Sequence, residues 1–248
     1  MIEVFAEPSE LAASSAFAVP QACRSSGDDG LVGATTYRAL TGCGPADARI
    51  DDDVSFDRHV FASILAAAAM DGDAVAEQAG LTADQISALL ERCFPQAREL
   101  AAAWCAPAAS ARDSAPDDEV AMVRDLLLAN RSTAGDAGRW LAAMVARRSM
   151  QPNHLWEDLG LRARPELTRL LTRHFASIAA RNTKNMRWKR FFYRMLCEDD
   201  GLVMCSTPVC TQCRDFDLCF GEESGESRLA YQRRQFELQA MRLSERGS

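Results

Sequence analysis

The sequence predicts an all-α protein: a duplicated helical unit forming one helical core, followed by a cysteine-rich loop. Three observations predict it. Alanine is abundant, while aromatic residues make up only 7% of the 248 residues, a balance that favours helix over sheet. Apolar residues recur at helical spacing between capping residues. Third, residues 58–81 match residues 138–161 at a shift of 80. Ala62 meets Ala142, Met70 meets Met150, Glu77 meets Glu157 and Gly80-Leu81 meets Gly160-Leu161. One further residue of shift then aligns Leu89-Leu90 with Leu170-Leu171, and Phe94 with Phe175. An amphipathic unit repeated in this way can bury its apolar face against its own copy.

The elements follow in chain order. Residues 1–55 mix Ser, Gly, Asp and Ala and read as a partly disordered lead with one short helix around Thr35–Leu40. The duplicated core is expected over 56–196. Asp53 or Ser55 can cap the helix FDRHVFASILAAAAM. A short helix over Asp73–Ala79 ends at Gly80. Thr82 caps ADQISALLERCF, and Pro95 opens QARELAAAWCA. Residues 106–117 form a Pro/Ala/Ser linker. DDEVAMVRDLLLAN begins with three acids, favourable at a helix N-terminus. GDAGRWLAAMVARRSM, NHLWEDLGL and RPELTRLLTRHFASIAARN complete the second unit, and TKNMRWKRFFYRMLCEDD follows. Residues 223–248 read as a polar, helical tail.

Charge narrows the partners. The formal net charge is −7, which argues against general nucleic-acid binding, since that needs a basic face. No run of about eighteen apolar residues is present, so no membrane span is expected. The start MIEVFAEPSE lacks a basic region typical of a secretory signal. The cytoplasm, where thiols stay reduced, is the expected compartment. VAEQAGLTADQISALL, within 74–90, has the outline of a helix-turn-helix. Its second helix carries one basic residue, Arg92, too few donors for phosphates and base edges.

Residues 181–196, RNTKNMRWKRFFYRML, reverse the sign of the chain locally, with six basic residues and no acid. Trp188, Phe191, Phe192 and Met195 can share one apolar face. The basic face is either solvated or a cationic wall for an oxyanion, an anionic cluster or an acidic partner.

The chain has nine cysteines. Cys93 and Cys105 lie in helical, Ala-rich sequence and are expected as small core residues. Cys205, Cys210, Cys213 and Cys219 crowd into residues 197–222 with the spacing C-x4-C-x2-C-x5-C. Turn-prone spacers bring thiolates close enough to share a metal. Disulfides are disfavoured in a reducing compartment. The C-x4-C-x2-C run matches the start of one ferredoxin spacing, which puts an iron–sulfur cluster ahead of a four-cysteine zinc site. Cys197 is a spare ligand or a buried thiol. Of the three histidines, His174 has a structural setting beside Phe175, His154 lies where a helix begins, and neither these nor His59 is expected as a ligand. No phosphate loop, HExxH, GxSxG or catalytic triad pattern appears, so a self-contained enzyme is not expected.

Three blocks together resemble the NifQ family, the molybdenum-processing proteins of nitrogenase cofactor assembly. They are HLWEDLGLRARPELTRLLTRHF at 154–175, RNTKNMRWKRFFYRMLCEDDG at 181–201, and the four-cysteine motif at 205–219. The resemblance covers roughly residues 55–222. It implies a molybdenum-binding iron–sulfur protein that processes and donates molybdenum for the iron–molybdenum cofactor in nitrogen fixation. Carried over, Cys205, Cys210, Cys213 and Cys219 would ligate a Mo–Fe–S cluster. The implied partners are molybdate or another molybdenum source and the assembly proteins NifEN and NifH. The role would be that of a metal-cluster carrier rather than a turnover enzyme. The alternative is an iron–sulfur or zinc DNA-binding regulator acting through 74–90.

Overall fold

Helices are the only extended regular elements among the described residues, and what sets each helix's place is how much of its circumference is apolar. A computed structural model describes residues 32–72, 74–105, 117–199, 216–221, 223 and 227–246. Before residue 106 lie α1 (Val32–Thr41), α2 (Asp53–Asp71), α3 (Val75–Gln78), α4 (Ala83–Cys93) and α5 (Leu100–Trp104). From residue 117 onward come α6 (Asp118–Ala129), α7 (Ala137–Ser149), α8 (Leu155–Asp158), α9 (Arg164–His174) and α10 (Ala176–Arg181). Then come α11 (Trp188–Asp199), α12 (Phe216–Phe220) and α13 (Arg228–Arg246).

α2 is apolar around most of its surface and is buried from Phe56 to Ala68 on nearly every side, as a central helix must be. Its cap is Asp52, one residue before the nearer of the two expected caps. The Asp52 carboxylate accepts the backbone N–H groups of Val54 and Ser55, each at 2.9 Å. α1 packs along α2 and places Tyr37 and Leu40 in the core, so chain assigned to the lead is part of the helical body. α6 packs along α7 in the same way. α4 is amphipathic, with Ile86, Leu89 and Leu90 inside, and starts at a Thr82–Gln85 capping box.

The order helix, short helix, Gly-Leu turn, helix occurs at 53–93 and again at 137–174. Gly80 and Gly160 both adopt positive φ, +73° and +69°. Leu81 N–H donates to the Ala76 carbonyl and Leu161 N–H to the Trp156 carbonyl. Phe94 and Phe175 leave α4 and α9 with nearly the same backbone angles. The two runs also touch reciprocally. A Cβ on Gly80 would meet Arg147 Cβ at 2.5 Å and the Ala143 carbonyl at 2.9 Å. A Cβ on Gly160 would meet the Ser63 carbonyl at 2.5 Å and Ala67 Cβ at 3.1 Å. Ser63 and Ala67 stand 80 residues before Ala143 and Arg147. Each glycine turn thus presses on the long helix of the other run.

Buried ion pairs cross between elements. Arg148 has no exposed surface and pairs with Asp71 at 2.6 Å, while its Nε–H donates to the Asp158 carbonyl at 2.8 Å. Asp71 also takes Arg228 from α13. The first turns of α13 dock on α1 and α2, where Gly33 lets Leu229 and Met70 approach. Beyond that, Tyr231, Met241 and Leu243 are exposed. The linker expected at 106–117 lies outside the described residues, except Asp117, which caps α6. None of the described helices is long and apolar enough to cross a membrane.

Candidate metal centre

The basic segment does not run as one helix. α10 ends at Arg181 and α11 begins at Trp188. Between them the Asn182 side chain accepts the Met186 N–H at 2.8 Å and donates to the Met186 carbonyl at 2.9 Å. Asn185 takes a positive φ of 54°. An amide side chain that captures the backbone four residues on competes with the helical ladder and stops it. Arg181 and Lys184 therefore lie before α11.

α11 lays Trp188, Phe191, Phe192 and Met195 on the core, all buried. The Trp188 and Phe191 rings meet edge to face at 5.7 Å. Its charges find acids that lie beyond residues 181–196. Arg194 pairs with Glu198 at 2.7 Å and Arg181 approaches the same carboxylate at 3.6 Å. Lys189 turns inward to the fully buried Asp158, at 2.6 Å, and also donates to the Gln151 carbonyl. Burial pulls the Lys189 ammonium below the usual lysine value, with Asp158 opposing the shift. The basic face, expected as either solvated or a cationic wall, is thus divided, and Lys189 turns into the fold. Arg190 is exposed.

The N-terminus of α11 holds the end of the cysteine segment. The Arg187 N–H donates to the Cys219 carbonyl at 2.8 Å, and Arg187 Nε–H donates to the Gly221 carbonyl at 3.2 Å. Gly221 is required here. A Cβ would lie 2.5 Å from the Asp217 carbonyl and 2.8 Å from the Arg187 guanidinium. Two residues on, Glu223 is sunk into the fold with its side chain 4% exposed. It lies 3.0 Å from Arg164 Nε and 3.9 Å from His154 Nδ1. A cavity of about 570 Å³ opens beside this seat, lined by His154, Glu157, Arg187, Arg190, Leu218 and Glu223 among others.

Of the four expected ligands, Cys219 lies on α12 and is half-buried. Cys205, Cys210 and Cys213 lie outside the described residues. Among the described residues, no three His, Cys, Asp or Glu side chains are grouped to hold a metal. Cys93, Cys105 and Cys197 are half-buried rather than fully enclosed, and burial pushes the Cys93 thiol up. His59 lies between the Tyr37 hydroxyl at 2.6 Å and the Glu166 carboxylate at 3.1 Å. His174 lies between Thr133 at 2.8 Å and Asp57 at 2.9 Å. Both serve the packing of helices. His154 alone lines the cavity. Arg92, the one basic residue of the helix-turn-helix-like segment, pairs with Asp136 at 3.3 Å.

Sequence reasoning missed Arg164, Asp158 and Glu223 as parts of this seat. Asp158 and Glu157 follow Trp156 in a short helix, and nothing local marks which of them turns inward.

Comparison with known proteins gives one consistent result. The family model NifQ matches residues 60–221. A protein NifQ homolog from Sinorhizobium fredii is 41% identical over 71% of this chain and 77% of its own length. Protein NifQ from Rhodobacter capsulatus is 41% identical over 45% of this chain and 61% of its own length. Protein NifQ from Azotobacter vinelandii is 46% identical over 43% of this chain and 54% of its own length. No solved structure matches the chain.

Proposed function

Because the chain belongs to the NifQ family, we propose that it carries molybdenum in an iron–sulfur cluster and donates it for nitrogenase cofactor assembly in nitrogen fixation. Cys205, Cys210, Cys213 and Cys219 are the proposed cluster ligands. Soft thiolates suit iron–sulfur chemistry, and sulfide suits molybdenum once it has left its oxyanion form. The duplicated helical unit is the proposed frame, and the cysteine loop the part that changes its load.

One observation supports this reading most: the Cys219 carbonyl accepts the N–H of Arg187, the residue just before α11, beside an open cavity. An iron–sulfur cluster held by four thiolates is anionic. The positive end of α11 and the arginines at its start favour negative charge there. The glycine at 221 and the sunken Glu223 hold the chain that follows Cys219, beside the cavity.

The proposed role is that of a cytoplasmic carrier, with NifEN and NifH as recipients and molybdate or another molybdenum source as supplier. The test is transfer. Molybdenum-loaded protein mixed without air with NifEN and NifH should lose molybdenum to them. Full retention of the metal by this chain would contradict donation.

A further inference from the structure

We infer that α13 is a self-association element: it pairs antiparallel with α13 of a second copy of this chain. The inference rests on this helix and the groove beside it, and not on the metal.

The fold holds only the start of α13. Leu229 is buried next to Gly33, whose N–H donates to the Gln232 side chain at 3.2 Å, and Arg228 pairs with Asp71. Phe236 is half-buried, and from Glu237 to Leu243 every residue is exposed. A short helical stretch without a packed face is marginal in water. A surface laid against it supplies the missing stability.

The exposed residues are ordered. Tyr231, Arg234, Leu238 and Met241 follow at steps of three, four and three, the seam spacing of paired helices. Tyr231, Leu238 and Met241 are 51%, 39% and 61% exposed. The Arg234 guanidinium lies over the Tyr231 ring at 5.4 Å. The next position of the stripe, 245, is a glutamate. Beside the first half of the stripe runs a groove of about 690 Å³. Tyr231, Arg234 and Gln235 form its helix side, and Met70, Asn153 and Glu157 its body side. A second helix lying on the stripe has this groove to enter.

The helix that fits is the same one reversed. About a two-fold axis between positions 239 and 240, Leu238 meets Met241 of the second copy, and Arg234 meets its position 245. The symmetry makes each contact twice, with apolar pairs at the centre and opposite charges at both ends. A parallel pair would instead set Arg234 on Arg234 and glutamate on glutamate, so charge selects the antiparallel one. The contact is self-complementary and closes at two copies. It lies at the small end of specific interfaces, which sets a reversible dimer. Asn153 and Glu157 also line the cavity beside Cys219, so the end of the second copy's helix flanks that cavity.

Sedimentation velocity of the full chain in reducing buffer, over a nanomolar to high-micromolar series, tests this. Wild type should pass from monomer to dimer. Arg234→Glu should weaken the dimer about ten-fold or more, because it sets like charges together at both ends. Leu238→Asp should weaken it by about the same factor or more through loss of the central apolar pair. Arg234→Glu combined with Glu245→Arg should restore the wild-type constant. Met122→Gln, at an exposed apolar residue of α6, should leave it unchanged. Far-UV circular dichroism checks that each variant is folded. A wild type that stays monomeric throughout, an unweakened Arg234→Glu or Leu238→Asp dimer, or a charge swap that fails to restore association would each overturn the inference.

Discussion

Arg187 holds the fourth cysteine of the motif: its N–H donates to the Cys219 carbonyl at 2.8 Å and its side chain to the Gly221 carbonyl. Gly221→Ala tests this clasp. The new methyl would sit 2.5 Å from the Asp217 carbonyl, a backbone atom that cannot simply step aside. Over-packing of this kind costs about 1–3 kcal/mol. Far-UV circular dichroism should stay helical. Iron loss to a chelator should quicken by roughly five-fold or more, since even one or two kcal/mol shifts an equilibrium by that factor. Unchanged iron retention would show that the clasp does not hold the loop.

Lys189 should act on stability. Lys189→Met leaves the fully buried Asp158 carboxylate with Asn153 as its remaining side-chain partner. Breaking one half of a buried ion pair costs about 3–5 kcal/mol. The double change Lys189→Met with Asp158→Asn should recover part of that loss, because the stranded charge is gone. Urea unfolding of the three proteins reads the difference. A Lys189→Met midpoint equal to wild type would place the pair outside the stability of the fold.

Acid should weaken the fold through its buried carboxylates. Burial alone would raise the Glu166 carboxyl, but hydrogen bonds from His59 and the Arg162 backbone N–H outweigh it and hold Glu166 below the usual range. Asp57 and Asp71 are lowered in the same sense by their His and Arg partners. A group whose folded value lies below its unfolded value stabilises the fold above the unfolded value, about 4.3 for glutamate. That contribution fades as pH falls through the folded value. Urea midpoints measured from pH 6 downward to about pH 3 should therefore drop, and Glu166→Gln should flatten the drop. A parallel curve for Glu166→Gln would remove Glu166 from the account.

Much of the fold was legible because its signals are local. The Thr82 capping box, the Pro before Gln96 and the apolar spacing of Ile86, Leu89 and Leu90 depend on neighbours along the chain. Gly80 and Gly160 could be matched by eye because a positive φ restricts the choice of residue. What escaped was set by distance. Lys189 looked like surface charge until Asp158, 31 residues away, was placed beside it. Tyr37, His59 and Glu166 come from three helices, and no window of sequence contains them together. The break at 182–187 was hidden because the Asn182 side chain gives no sign in sequence of which backbone it will capture. At the site, the four-cysteine spacing and the basic charge of Arg187 were plain, whereas Gly221 and Glu223 drew no attention without the seat they build.

The central claim is that four thiolates hold a molybdenum-bearing iron–sulfur cluster. Its most direct test is metal and acid-labile sulfide analysis of anaerobically purified wild type beside Cys205→Ala, Cys210→Ala, Cys213→Ala and Cys219→Ala. The account predicts iron, sulfide and molybdenum together in wild type, with all three sharply reduced in each variant. Zinc alone in wild type, or iron and molybdenum undiminished in all four variants, would contradict it.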